Sequence, residues 1–190
     1  MGLFEALARR LSACAAYNVG FAVYWGGWCF AFPLWVLGPR RTVAVLGKGR
    51  RPASWELTLL LFPVAGAIGT QLVPHRRDVD LPVASVMVAS AAVNAVGEEL
   101  LWRGLFVEEF PDRVVIGALW PPAGFALWHL APQRILPAAV GRWRFVAGAA
   151  VVGAASTVSA WRSRGLRQAL LPHVATDACG VTAARFRLGR

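Results

Sequence analysis

The sequence predicts an all-α fold, a polytopic membrane helical bundle of about six transmembrane helices. Three observations point there. Hydrophobic residues make up 57% of the 190 residues and charged ones only 16%, against roughly 45–50% and about 25% in soluble domains. The apolar residues gather into six runs, and a spanning helix needs about 20 residues. The basic residues sit in the short gaps between those runs. The mean hydropathy of +0.51 agrees. A domain of this size leaves much of its surface in water, so a soluble core cannot absorb the excess. The same composition excludes disorder. Residues 1–190 therefore read as a single transmembrane domain, with 1–80 as its N-terminal membrane helices.

The first run, 11–37, follows Arg9-Arg10 and is too long for a cleavable signal peptide, so it reads as a retained anchor. Trp25, Trp28 and Trp35 lie toward its far end as interfacial anchors. Pro33 is expected to break it, and 39–54 reads as a basic loop with Gly and Pro. The second run, 55–73, carries Pro63, Gly66 and Gly69, small residues that permit close helix contact. The third begins at Leu81-Pro82, has no charge until Glu98, and continues through Glu99 and Arg103 to Phe110-Pro111. The fourth, 114–130, holds Pro121-Pro122 near its middle and is expected to be short, kinked or late in starting. The fifth is 145–161. The sixth, 166–184, carries His173 and Asp177, and Pro172 should kink it.

The net charge of +10 does not indicate nucleic acid. Arg40-Arg41, Arg76-Arg77, Arg142 with Arg144, and Arg162 with Arg164 flank the runs, where Arg reaches anionic headgroups. The expected partner is thus the lipid bilayer. Every basic residue except Lys48 is Arg, and Ala, Gly and Val abound. That bias suggests a high-GC bacterial genome and hence a bacterial plasma membrane. With six spans the two faces share Arg and Lys almost equally, so the positive-inside bias selects no orientation. Cys14, Cys29 and Cys179 lack metal-ligand spacing and read as small buried residues.

Ionisable groups inside spans are costly and usually mark function. The runs hold few: Glu98, Glu99 and Arg103 on the third, His129 on the fourth, His173 and Asp177 on the sixth. Glu98 and Glu99 point about 100° apart on a helix. Glu99 and Arg103 are i,i+4 and read as an ion pair that neutralises two buried charges. Glu98 has Trp102 at i+4 and so has no local partner, which suits a general base. It lies about 24 Å along the helix from Pro82, inside the bilayer but toward one face. His129 alone reads as interfacial. His173 and Asp177 share a helix face as an intrahelical hydrogen bond, a proton relay or two metal ligands. Three helices bringing polar groups into the membrane together indicate one convergent site.

Glu98-Glu99-x-x-x-Arg103, Phe125-x-x-x-His129 and His173-x-x-x-Asp177 resemble the three motifs of the CPBP intramembrane metalloproteases. That group includes the CAAX prenyl endopeptidases of the Rce1 type and the bacterial Abi proteins linked to bacteriocin self-immunity. The resemblance covers 82–184, and it implies a peptidase core there. It implies that Glu98 activates a water for attack on a peptide carbonyl. His129 would help hold or deprotonate that water, and His173 with Asp177 would stabilise the oxyanion. Glu99, Arg103 and Phe125 would support the site. The H-E-x-x-H zinc motif is absent. The site is then either metal-free or holds a divalent metal such as zinc through Glu98, His129, His173 and Asp177. Asn is common in the family where this chain has Asp177. An ionised Asp would repel an oxyanion, so Asp177 would act protonated, by orienting His173, or as a metal ligand.

The expected function is an intramembrane endopeptidase acting on a peptide or membrane-protein substrate. The alternatives are a non-catalytic membrane immunity or binding protein of the same family, and a proton or ion carrier using Glu98, His129 and His173.

Overall fold

The computed structural model describes residues 2–190. Among the described residues eight helices run in chain order: α1 Leu3–Ala8, α2 Ala13–Gly47, α3 Ser54–Asp78, α4 Leu81–Glu109, α5 Val114–Arg134, α6 Arg142–Ser163, α7 Arg167–Asp177 and α8 Val181–Arg187. Among the described residues there is no strand. The five helices α2 to α6 are each long and apolar enough to cross a membrane. Their outward faces carry large apolar side chains such as Trp35, Phe62 and Val88. That surface suits lipid, and the helices satisfy their backbone groups internally, as a bilayer requires. The protein is an integral membrane helical bundle.

Local chemistry sets the helix boundaries. The Asp80 side chain accepts from Val83 N–H at 2.9 Å, and Pro82 sits in the first turn, so α4 starts there. Arg164 in the left-handed region ends α6. Four stretches widen to i→i+5 hydrogen bonding: Tyr24–Ala31, Ile68–Leu72, Leu100–Gly104 and Val114–Leu119. Three of them end two residues before a proline, at Pro33, Pro74 and Pro121. Proline lacks an N–H and crowds the carbonyl four residues back. A widened turn absorbs both defects. Pro33 therefore does not break α2, contrary to expectation. The break falls at Gly38 (φ 75°, ψ 160°), after which the helix resumes to Gly47. The expected loop at 39–54 shrinks accordingly to 48–53.

The expected sixth span is also corrected. Pro172 lies inside α7 without ending it. The chain instead breaks at 178–180, where Gly180 leaves helical geometry (φ −76°, ψ 58°). Helices α7 and α8 still cross the bundle together. Arg167 N–H donates to Lys48 O at 3.1 Å beside the end of α2. Arg185 pairs with Asp78 at 3.2 Å beside the end of α3, on the opposite face. The described residues thus form five long spans, the first bent at Gly38, and one broken crossing.

Helix α7 packs on α3, α4 and α6, while α8 packs on α2 and α4. Small residues set two close approaches. A Cβ on Gly97 would lie 2.7 Å from Cys29 Cβ, so α2 and α4 touch one residue before Glu98. A Cβ on Gly153 would lie 3.0 Å from Phe125 and 3.3 Å from Pro122, so α5 lies tight on α6.

Candidate active site

Helix α4 supplies Asn94, Glu98, Glu99, Trp102 and Arg103. Glu98, Glu99, Arg103 and His173 are all buried. Helix α7 brings His173 and Asp177 against them, with Asp177 partly exposed. Asp177 is the last residue before the break, so the broken crossing leaves the site's edge open there.

Glu98 is not without a local partner, as its spacing to Trp102 suggested. Asn94, one turn earlier, donates from Nδ2 to Glu98 Oε2 at 2.9 Å. Tyr24 of α2 donates its hydroxyl to Oε1 at 3.2 Å and accepts from Trp102 Nε1 at 2.9 Å. Asn94 Nδ2 also donates to Asp177 Oδ2 at 2.8 Å, and Asn94 Oδ1 accepts from Trp25 Nε1 at 2.7 Å. Asn94 was legible as the polar residue four before Glu98. Tyr24 and Trp25 carried no signal, because they come from a helix about 70 residues away in sequence.

Glu99 also departs from the simple ion pair. Its Oε1 lies 2.8 Å from His173 Nδ1. Arg103 Nη1 is 3.4 Å from Glu99 Oε1, and its guanidinium carbon sits 4.2 Å over the Phe125 ring. Among the described residues, no Arg103 guanidinium nitrogen has a hydrogen-bond partner. The widened turn Leu100–Gly104 carries Arg103, and no proline follows that turn. It alters the α-helical register of Arg103 relative to Glu99.

Phe125 stands between the two histidines. Its ring is 4.6 Å from His129 and 5.8 Å from His173, tilted steeply to both. His129 Nδ1 lies 2.7 Å from Phe125 O. A carbonyl only accepts, so Nδ1 carries the proton and Nε2 is the free acceptor.

Three of the four residues expected to form the reaction centre converge. Glu98, His173 and Asp177 each offer a ligand atom, all within 4.8 Å of one another. His173 Nε2 lies 3.6 Å from Glu98 Oε2 and 3.7 Å from Asp177 Oδ2. These gaps exceed a direct hydrogen bond. His129 is not in that group and meets it through Phe125. Two carboxylates and an imidazole fit a divalent cation in donor type. The Glu99 carboxylate on His173 Nδ1 matches the outer support of metal-bound histidines.

A family model described as "Type II CAAX prenyl endopeptidase Rce1-like" matches residues 80–179, just over half of the chain. The chain belongs to the Rce1-like family. The match runs from the N-cap of α4 to two residues beyond Asp177. It contains Asn94 and every motif residue, while Tyr24 and Trp25 of this Rce1-like chain lie outside it. No curated protein and no solved structure matches the chain. The Rce1-like family is a peptidase family, and within the matched residues of this chain Glu98, His173 and Asp177 face one another.

Proposed function

We propose that the chain is an intramembrane endopeptidase in which Glu98 activates water for attack on a peptide carbonyl. The observation that carries the reading is the convergence of Glu98 Oε2, Asp177 Oδ2 and His173 Nε2 across gaps of 3.6 Å and 3.7 Å. Such spacing suits one water bridging polar groups.

Glu98 takes a proton from the water as its oxygen bonds to the carbonyl carbon. The carbonyl oxygen becomes an oxyanion, which the doubly protonated His173 ring stabilises by donating Nε2–H to it while its Nδ1–H stays on Glu99. Glu98 then returns the proton to the leaving nitrogen as the C–N bond breaks. His129, with Nδ1–H committed to Phe125 O, offers Nε2 as a second acceptor for the water. Glu99 holds the His173 ring by its Nδ1, and Asp177 faces Nε2. Arg103, stacked on Phe125, offsets the Glu99 charge. If a divalent metal such as zinc binds, Glu98, His173 and Asp177 would hold it, and it would acidify a bound water and polarise the carbonyl. The substrate is a peptide or a membrane-protein segment, and the setting is a bacterial plasma membrane.

The test uses purified protein in detergent micelles with an internally quenched farnesylated CAAX peptide, a probe chosen because the Rce1-like family is described as CAAX prenyl endopeptidases. Wild type should cleave it. Glu98→Gln should lower kcat at least about a hundredfold. Equal turnover by the folded Glu98→Gln protein would sink the proposal.

A further inference from the structure

The Asn94 amide stands between the two carboxylates of the site. An indole N–H only donates, and a carboxylate anion only accepts. Trp25 Nε1, 2.7 Å from Asn94 Oδ1, therefore settles which way the amide faces. The oxygen meets the indole, and Nδ2 meets Glu98 Oε2 at 2.9 Å and Asp177 Oδ2 at 2.8 Å. These are the same two oxygens that lie 3.6 Å and 3.7 Å from His173 Nε2.

Resting on the hydrolytic reading above, we infer that Asn94, aimed by Trp25, is a positioning residue that sets the spacing of the Glu98 and Asp177 oxygens around His173. An asparagine that serves only as glue between spanning helices needs one partner across the interface. Asn94 instead commits both amide hydrogens to site carboxylates, one on its own helix and one on α7. Its third bond reaches α2, so three elements are tied at one amide. Two carboxylate oxygens brought together repel unless a donor lies between them, and the Asn94 N–H groups are that donor. Turning the amide over would set its oxygen against both carboxylates. The indole of Trp25 prevents this, because its N–H would then face an amide N–H.

The experiment uses the same micellar protein and farnesylated peptide. Asn94→Asp keeps the shape and removes the donors. It should lower kcat about tenfold to a hundredfold, with KM within about twofold. Trp25→Phe should lower kcat less, again without moving KM. Adding Trp25→Phe to Asn94→Asp should cost nothing further, because both changes act through one amide. Thermal transitions check folding, and Trp25→Phe alone carries the test if Asn94→Asp does not fold. Losses that add independently, or that fall on KM, would assign both residues to helix packing and overturn the inference. Cleavage that survives in Asn94→Asp but is lost in Glu98→Gln removes this inference alone. No cleavage by wild type removes the hydrolytic reading and this inference with it.

Discussion

Glu99 Oε1 lies 2.8 Å from Nδ1 of His173, closer than the 3.4 Å that separates it from Arg103. The second glutamate of the pair is thus joined first to the histidine on α7 and only secondarily to the arginine on its own helix. Its place is to orient the ring whose Nε2 faces Glu98 and Asp177. Glu99→Gln keeps the shape and removes the charge. Cleavage of the quenched farnesylated peptide should fall about tenfold to a hundredfold in kcat, with KM little changed. A change confined to KM would show that Glu99 does not orient His173.

Arg103 and Glu99 are both fully buried. Removing one partner of a buried pair leaves the other charge uncompensated, at a cost of about 3–5 kcal/mol. Arg103→Met should therefore strongly destabilise the protein in denaturant unfolding from micelles. Stacking on Phe125 at 4.2 Å contributes as well, on the order of 2 kcal/mol for a desolvated cation. Glu99→Gln combined with Arg103→Met removes both charges and should recover part of the stability lost in Arg103→Met. If the double variant is the less stable, the pair is not coupled as described.

Gly97 permits the approach of α2 that brings Tyr24 to Glu98. A Cβ there would meet Cys29 Cβ at 2.7 Å and the Phe30 ring at 3.2 Å. Gly97→Val should cost about 1–3 kcal/mol through overpacking and push α2 away from α4. The Tyr24 and Trp25 bonds should then fail together, and kcat should fall with them. Gly66→Val is the control, since nothing lies within 4 Å of its Cβ position. Equal effects of the two substitutions would refute the role of close approach.

Much of this was legible in the sequence, for physical reasons. Long apolar runs mark spans because lipid leaves the backbone no other partner. The three motifs identified the faces of α4, α5 and α7 that meet. The consequence of Pro33 was misread. It was expected to break its helix, yet a widened turn ahead of it carries α2 on to Gly38, and similar turns ahead of Pro74 and Pro121 carry α3 and α5 through theirs. Hydropathy could not show that the sixth crossing breaks at Gly180. Nor could periodicity find Tyr24 and Trp25, whose bonds to Glu98 and Asn94 depend on how α2 packs against α4. Asn94 could have been found, because i and i+4 share a helix face.

Asp80 caps α4 by accepting from Val83 N–H at 2.9 Å, and its other carboxylate oxygen pairs with Arg190. The cap hydrogen bond first, and the guanidinium second, hold its carboxyl below the ordinary aspartate value of 3.8. The folded value is depressed, so the stabilisation is fully present above that ordinary value. It is lost as pH falls through the lower folded one. Hydrogen exchange in α8 and at Arg190 should therefore be insensitive to this group between pH 7 and 5, and should quicken only below about pH 4. Asp80→Asn keeps an N-cap acceptor but cannot titrate. Its exchange at Arg190 should already be fast at pH 7 and should show no such acid step. An acid step of the same size in Asp80→Asn would assign it to another carboxylate, with Asp78, paired to Arg185 at 3.2 Å, the first to examine.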